Sequence, residues 1–205
     1  MSMSALSDEL AQVRTKKKEF LAQIERIVPW KEWLVLIQPC YYKGERGNKP
    51  YPLETRPRLY LLQNLYDLSD EATAAEAIDS RAFSDFCGVD SSNQVPDGDT
   101  IGRFRNLLVK NGLHEKLFAQ VVAALMKRGM ILKKGTIVDS TIISAPSSTK
   151  NKEKKRDPDA HQVRKGNIWH FGYKAHIGAD KDSGLVHTIA VTPPMFTMCH
   201  RPRLC

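Results

Sequence analysis

The chain changes its hydrophobic period once, at Gly135, and that change limits what it can fold into. Before it, apolar residues recur at steps of three and four, the spacing of one helix face. After it comes Thr136-Ile137-Val138-Asp139-Ser140-Thr141-Ile142-Ile143. That run is β-branched almost throughout, which predicts a strand buried on both faces. An α+β chain is expected, with a helical domain over residues 1–132 and a β-led domain from 133.

In the helical part, Leu10, Val13, Phe20, Leu21, Ile24, Ile27 and Val28 predict an amphipathic helix opened at Ser7-Asp8 and broken at Pro29. A second helix carries Trp30, Trp33, Leu34 and Ile37 and ends at Pro39. The polar stretch Tyr42–Pro50 reads as a loop. Leu59–Tyr66 returns to helix, with Pro57 expected to delay its start by a turn. Ser69 is placed to cap a helix over Asp70–Ile78. Pro96–Asp99 reads as a turn, followed by helices from Thr100 and over Leu113–Met126. In the β part, Pro146 ends the first strand and Ser147–Gly166 reads as a long polar loop. Phe171–Ala179 and Leu185–Val191 predict two strands joined as a hairpin around Asp180–Gly184.

The formal net charge of +8 favours a polyanionic partner, although a basic solvated surface produces the same number. No stretch approaches the roughly 20 apolar residues of a membrane span, and the start lacks the apolar core of a signal peptide. Cys40, Cys87, Cys199 and Cys205 form no C-x-x-C pair and read as reduced thiols. A cytoplasmic, nucleoid-associated protein is expected.

Asp139 is the sharpest chemical feature. A carboxylate inside an apolar strand is costly to bury unless it is hydrogen-bonded, paired or metal-bound. By the residues alone it is either a structural acceptor or a ligand for Mg²⁺, which is typically held by one or two carboxylates plus substrate phosphate. Lys150, Lys152, Lys154, Lys155 and Arg156, then Arg164 and Lys165, follow that strand among Ser147, Ser148, Thr149 and Asn151. Such a cluster is either a solvated face or a phosphate-contacting footprint. Arg103 and Arg105, on the helix from Thr100, suit a helix-turn-helix reader or an ordinary bundle surface. His161, His170, His176 and His187 match no zinc spacing. No P-loop, G-x-G-x-x-G or G-x-S-x-G occurs, so nucleotide-motor and serine-hydrolase chemistry find no support.

Taken together, these stretches resemble the transposases of the insertion sequence 5 group, up to about Thr192. The specific blocks are Gly135–Asn151, containing Asp139, and Lys165–His176, continuing to Gly184-Leu-Val-His187. Leu61–Glu71 and Thr100–Arg105 resemble that family's helical domain. The resemblance implies a ribonuclease H-like catalytic domain, here incomplete, with Asp139 as the first acid of a DDE triad. It implies double-stranded DNA with terminal inverted repeats as partner, and strand cleavage and transfer assisted by two divalent ions, normally Mg²⁺. Arg56-Pro57 and Ser140 depart from the family pattern.

The segment Pro193–Cys205 departs most, standing where the family continues with a sequence like Ala-Asn-Val-His-Asp. Residues 193–200, back-translated as CCG CCA ATG TTC ACG ATG TGT CAC, read Ala-Asn-Val-His-Asp-Val-Ser from the third base. The expectation is therefore a partial catalytic domain over 133–192 and a missense tail over 193–205. Such a product would lack catalysis. The alternative is a non-catalytic DNA-binding regulator, or an inhibitor that associates with the full-length transposase.

Overall fold

The computed structural model describes residues 15–41, 50–132, 135–146, 149, 155–165 and 167–193. They belong to two compact units, Met1–Ala124 and Leu125–Cys205. The architecture is α+β, helices first and then an antiparallel sheet.

The first unit is built from helices α1 (Lys16–Ile27), α2 (Trp30–Ile37), α3 (Thr55–Leu65), α4 (Asp70–Asp79), α5 (Arg81–Cys87) and α6 (Gly98–Lys110), with α7 (Leu113–Lys127) running on past Ala124. Thr15 caps α1 in an extended conformation and accepts from the Lys18 amide. The described helix therefore begins at Lys16, and Ser7 and Asp8, its expected opening, lie outside the described residues. Ser69 caps α4 as expected, its hydroxyl accepting from the Ala72 amide at 3.1 Å. Asp97 caps α6 through the Thr100 amide at 2.7 Å, so that helix begins at Gly98, two residues before the expected Thr100.

Pro57 does not delay α3. It is the third residue of the helix, where its missing N–H is a first-turn donor without an intrahelical acceptor anyway. Helix α5 is an addition to the sequence expectation. Its Ala82, Phe83, Phe86 and Cys87 are buried, and Gly88 closes it in the left-handed region at φ 66°.

Two clusters make the helical core. Leu21, Leu59, Leu62, Ala77, Phe83, Phe86 and Ile101 form one, and Val28, Trp33, Ile37, Phe104, Leu108, Leu113 and Leu117 the other. Ile24, Trp30 and Leu61 pack against both and join them. Arg58 ties this core to its rim. It donates to both carboxylate oxygens of Glu25 and to the Phe86 carbonyl, and its guanidinium lies 4.2 Å from the Trp30 ring centroid.

The second unit holds strands β1 (Thr136–Ser144), β2 (His161–Lys165), β3 (Ile168–Asp180) and β4 (Val186–Thr192). β3 is central and long. β1 pairs with it from Thr136↔Asp180 to Ser144↔Gly172. β2 pairs with its first part and β4 with its last, so these two lie end to end along the side opposite β1. The expected β3–β4 hairpin is present, its turn closed by Asp180, which accepts from the Ser183 amide and hydroxyl. β2 corrects the reading of 147–166 as a single loop, since its five residues form a ladder with β3.

Candidate functional site

Asp139 sits at the middle of β1, opposite Ile177, which in turn faces Ile189 of β4. Cross-strand partners share a face of the sheet, so these three side chains emerge on one side. By the same alternation Ile137, Thr141 and Ile143 of β1 share that side, as do Ala175, Tyr173, Phe171 and Trp169 of β3. The face is open. Ile137, Ile143, Ile189 and Val191 are each about half exposed, and Asp139 is exposed.

This corrects the expectation of a strand buried on both faces. β1 has only one neighbour, β3, among the described residues, and no described residue covers most of its side chains. The cost of burying the Asp139 carboxylate therefore does not arise in this structure. Its Oδ1 accepts from the adjacent Ser140 amide at 2.6 Å. Oδ2 takes no hydrogen bond among the described residues, which leaves it able to serve as one ligand to a hard cation. Among those residues, no three His, Cys, Asp or Glu side chains converge to hold a metal ion.

Behind Asp139, on the opposite face, His176 pairs with Ser140 in register and is buried. Its Nε2 lies 3.0 Å from Thr192 Oγ1, while its Nδ1 is buried without a partner. Burial, aided by the charge of Lys174, pulls its pKa below the usual histidine value. Half-exposed His187 lies 2.8 Å from Thr188 Oγ1. Tyr173 donates to Asp157, and that bond pushes the phenol up to about 12. The Cys87 thiol of the helical unit is pushed up to about 12 by burial, an inert setting.

The basic candidates are distributed as follows. Lys150, Lys152 and Lys154 lie outside the described residues. Lys155 and Arg156 are exposed, and the Arg156 guanidinium stands 5.8 Å from the Phe171 ring centroid. Arg164 of β2 pairs with Trp169 and so shares the Asp139 face, donating to Asn167 Oδ1 at 3.3 Å. Lys165 pairs with Ile168, and its side chain is outside the described set. Sequence reasoning does not single out Trp169 as a site residue, yet it is 64% exposed. The signal for it is an aromatic residue close to Arg164 and Lys165.

Arg103 and Arg105 both project from α6 in the helical unit, and both are exposed. Arg105 is engaged by Asp70 at 2.9 Å. Glu71 and Asp99 line the same hollow between α4 and α6, so the surroundings of these two arginines are mixed in charge.

The described residues thus place one exposed strand carboxylate, Asp139, on a sheet face that also carries Phe171, Trp169 and Arg164. Residues 8–107 match the family described as a transposase domain (DUF772), and residues 131–195 match the transposase DDE domain. Together the two domains indicate a DDE transposase, a DNA transposase class that uses a divalent metal ion. No solved structure matches the chain. No helix among the described residues is long and apolar enough to cross a membrane.

Proposed function

We propose that this chain belongs to the insertion sequence 5 group and binds the terminal inverted repeats of its element. Residues 1–132 form a helical DNA-binding part, 133–192 the first strands of a ribonuclease H-like catalytic domain, and 193–205 a missense tail. The observation that carries the reading is the position of Asp139. It stands inside the segment matching the transposase DDE domain, at the centre of its strand, with one carboxylate oxygen open on the exposed face.

Asp139 would supply one ligand to Mg²⁺, the ion that in such enzymes polarises the reacting phosphate. The fit is partial, because Mg²⁺ takes one or two carboxylates plus phosphate and water oxygens, and one carboxylate alone does not fix two ions. The chain's own residues orient and hold DNA. Arg164 stands on the Asp139 face, and Lys150, Lys152, Lys154, Lys155, Arg156 and Lys165 add positive charge around β1 and β2 in the sequence. Arg103 and Arg105 are assigned to the helical part's own DNA contact.

Because Asp139 is the single candidate acid among the described residues, these residues are proposed to bind DNA without themselves cutting it, either as a regulator at the repeats or as an inhibitor of the full-length transposase. Incubation with terminal-repeat DNA and Mg²⁺ or Mn²⁺ tests this. Binding without nicks or joined products is expected. Metal-dependent cleavage lost in D139N would overturn the non-catalytic reading.

A further inference from the structure

β2 and the start of β3 form a ladder ending at the Lys165↔Ile168 pair, and Ile168 and the adjacent Trp169 both stand in solvent. Each is 64% exposed, more than any other large apolar residue described except Val35. An isolated indole in water has an ordinary explanation as a leftover surface residue. Its surroundings argue otherwise. Trp169 leaves the same side of the sheet as Asp139, by unbroken alternation along β3 from Ile177. Its cross-strand partner is Arg164, and two residues further along the same side Phe171 carries the Arg156 guanidinium.

The eight residue steps from Ile177 to Trp169 span about 26 Å at roughly 3.3 Å per residue, a reach of several nucleotides along one face. Cationic side chains interleaved with an aromatic ring on an open sheet face suit a single strand. The cations follow its phosphates, and the ring takes a base whose π-face is free only when it is unpaired. The half-exposed Ile137, Ile143, Ile189 and Val191 of the same face lie along β1 and β4, whereas Arg164 and Arg156 bring positive charge to its Trp169 end.

We propose that Trp169 is a stacking platform for an unpaired base of bound DNA, flanked by Arg164 and Arg156 on the strand's phosphates. This rests on the DNA-binding reading above and specifies which form of DNA the sheet face takes.

The test is binding by the full chain to two probes, a duplex with a short unpaired end and the same duplex blunt. W169A is expected to weaken the unpaired-end probe by about 5- to 100-fold, the range for losing one aromatic stack. The blunt probe should change by less than about twofold. W169F keeps a ring and should recover most of the loss. Intrinsic fluorescence gives a second readout, because Trp30 and Trp33 lie in the helical core. The unpaired-end probe should quench the wild type more than it quenches W169F. Equal losses on both probes, no loss in W169A, or a change in self-association in place of DNA affinity would each overturn the proposal. Wild type that binds both probes with W169A unchanged overturns this inference alone. Wild type that binds neither overturns the DNA-binding reading with it.

Discussion

Arg105 donates to Asp70 Oδ2 at 2.9 Å while Gln63 Nε2 donates to Asp70 Oδ1 at 2.6 Å, so one carboxylate joins α3, α4 and α6. The arginine half of this junction is exposed and the glutamine half is buried. R105A should therefore cost no more than about 1 kcal/mol of stability. D70A strands the Gln63 amide and should cost about 1–3 kcal/mol. Urea unfolding of the two variants checks the order. Because Arg105 is occupied, R103A should also weaken DNA binding more than R105A does, which a gel shift reads directly.

Arg56 is buried, and its guanidinium donates to Tyr41 Oη and to the Thr100 carbonyl, both at 3.1 Å, while lying 5.2 Å from the Tyr51 ring centroid. It joins the start of α3 to the first turn of α6. R56A removes both hydrogen bonds and the stacking of a buried guanidinium, so a loss of about 2–3 kcal/mol is expected in thermal or urea unfolding. R56K should recover little, since an ammonium cannot replace the planar fork. A variant as stable as wild type would show that the junction is dispensable.

Gly172 lies where β3 is flanked by both Ser144 and His161. A Cβ there would collide with the Ile143 carbonyl oxygen and stand 2.8 Å from the Ala145 nitrogen, and neither backbone atom can swing aside. G172A should cost about 1–3 kcal/mol or more. Faster amide exchange at the Ile143 end of β1 than at the Thr136 end would locate the damage. Unchanged protection throughout β1 would contradict the register.

His176 gives the sheet a pH dependence whose sign is fixed by its depressed pKa. The unfolded chain takes up the imidazole proton near pH 6.5, whereas the folded chain resists until lower pH. The stability contribution is thus complete above that value and is lost as pH falls through and below it. The wild type should lose stability between pH 7 and pH 5, and H176Q should show a flatter slope over that window. Identical slopes would show that another group sets the dependence.

Much of this was legible in local chemistry. Ser69 before Asp70-Glu71 marked the start of α4, and Asp180–Gly184 marked the β3–β4 turn, because caps and turns are decided by neighbours in sequence. The burial of β1 was not legible. Its β-branched residues are those of a doubly covered strand, but covering depends on which elements flank it, and the described residues flank one edge. β2 was hidden for a related reason. His161-Gln162-Val163-Arg164-Lys165 has no apolar alternation, and it is placed by backbone pairing with β3. Asp139 stood out in both sequence and structure, while the exposure of Trp169 emerged only with the fold.

The most direct measurement is the affinity of the whole chain for a terminal-repeat duplex against a shuffled duplex of equal length, across a salt series without metal. A transposase-derived DNA binder should prefer the repeat by at least about tenfold, with affinity falling as salt rises. Equal affinity for the two duplexes, or no binding at low salt, would contradict the reading of this chain as a protein of the element's ends.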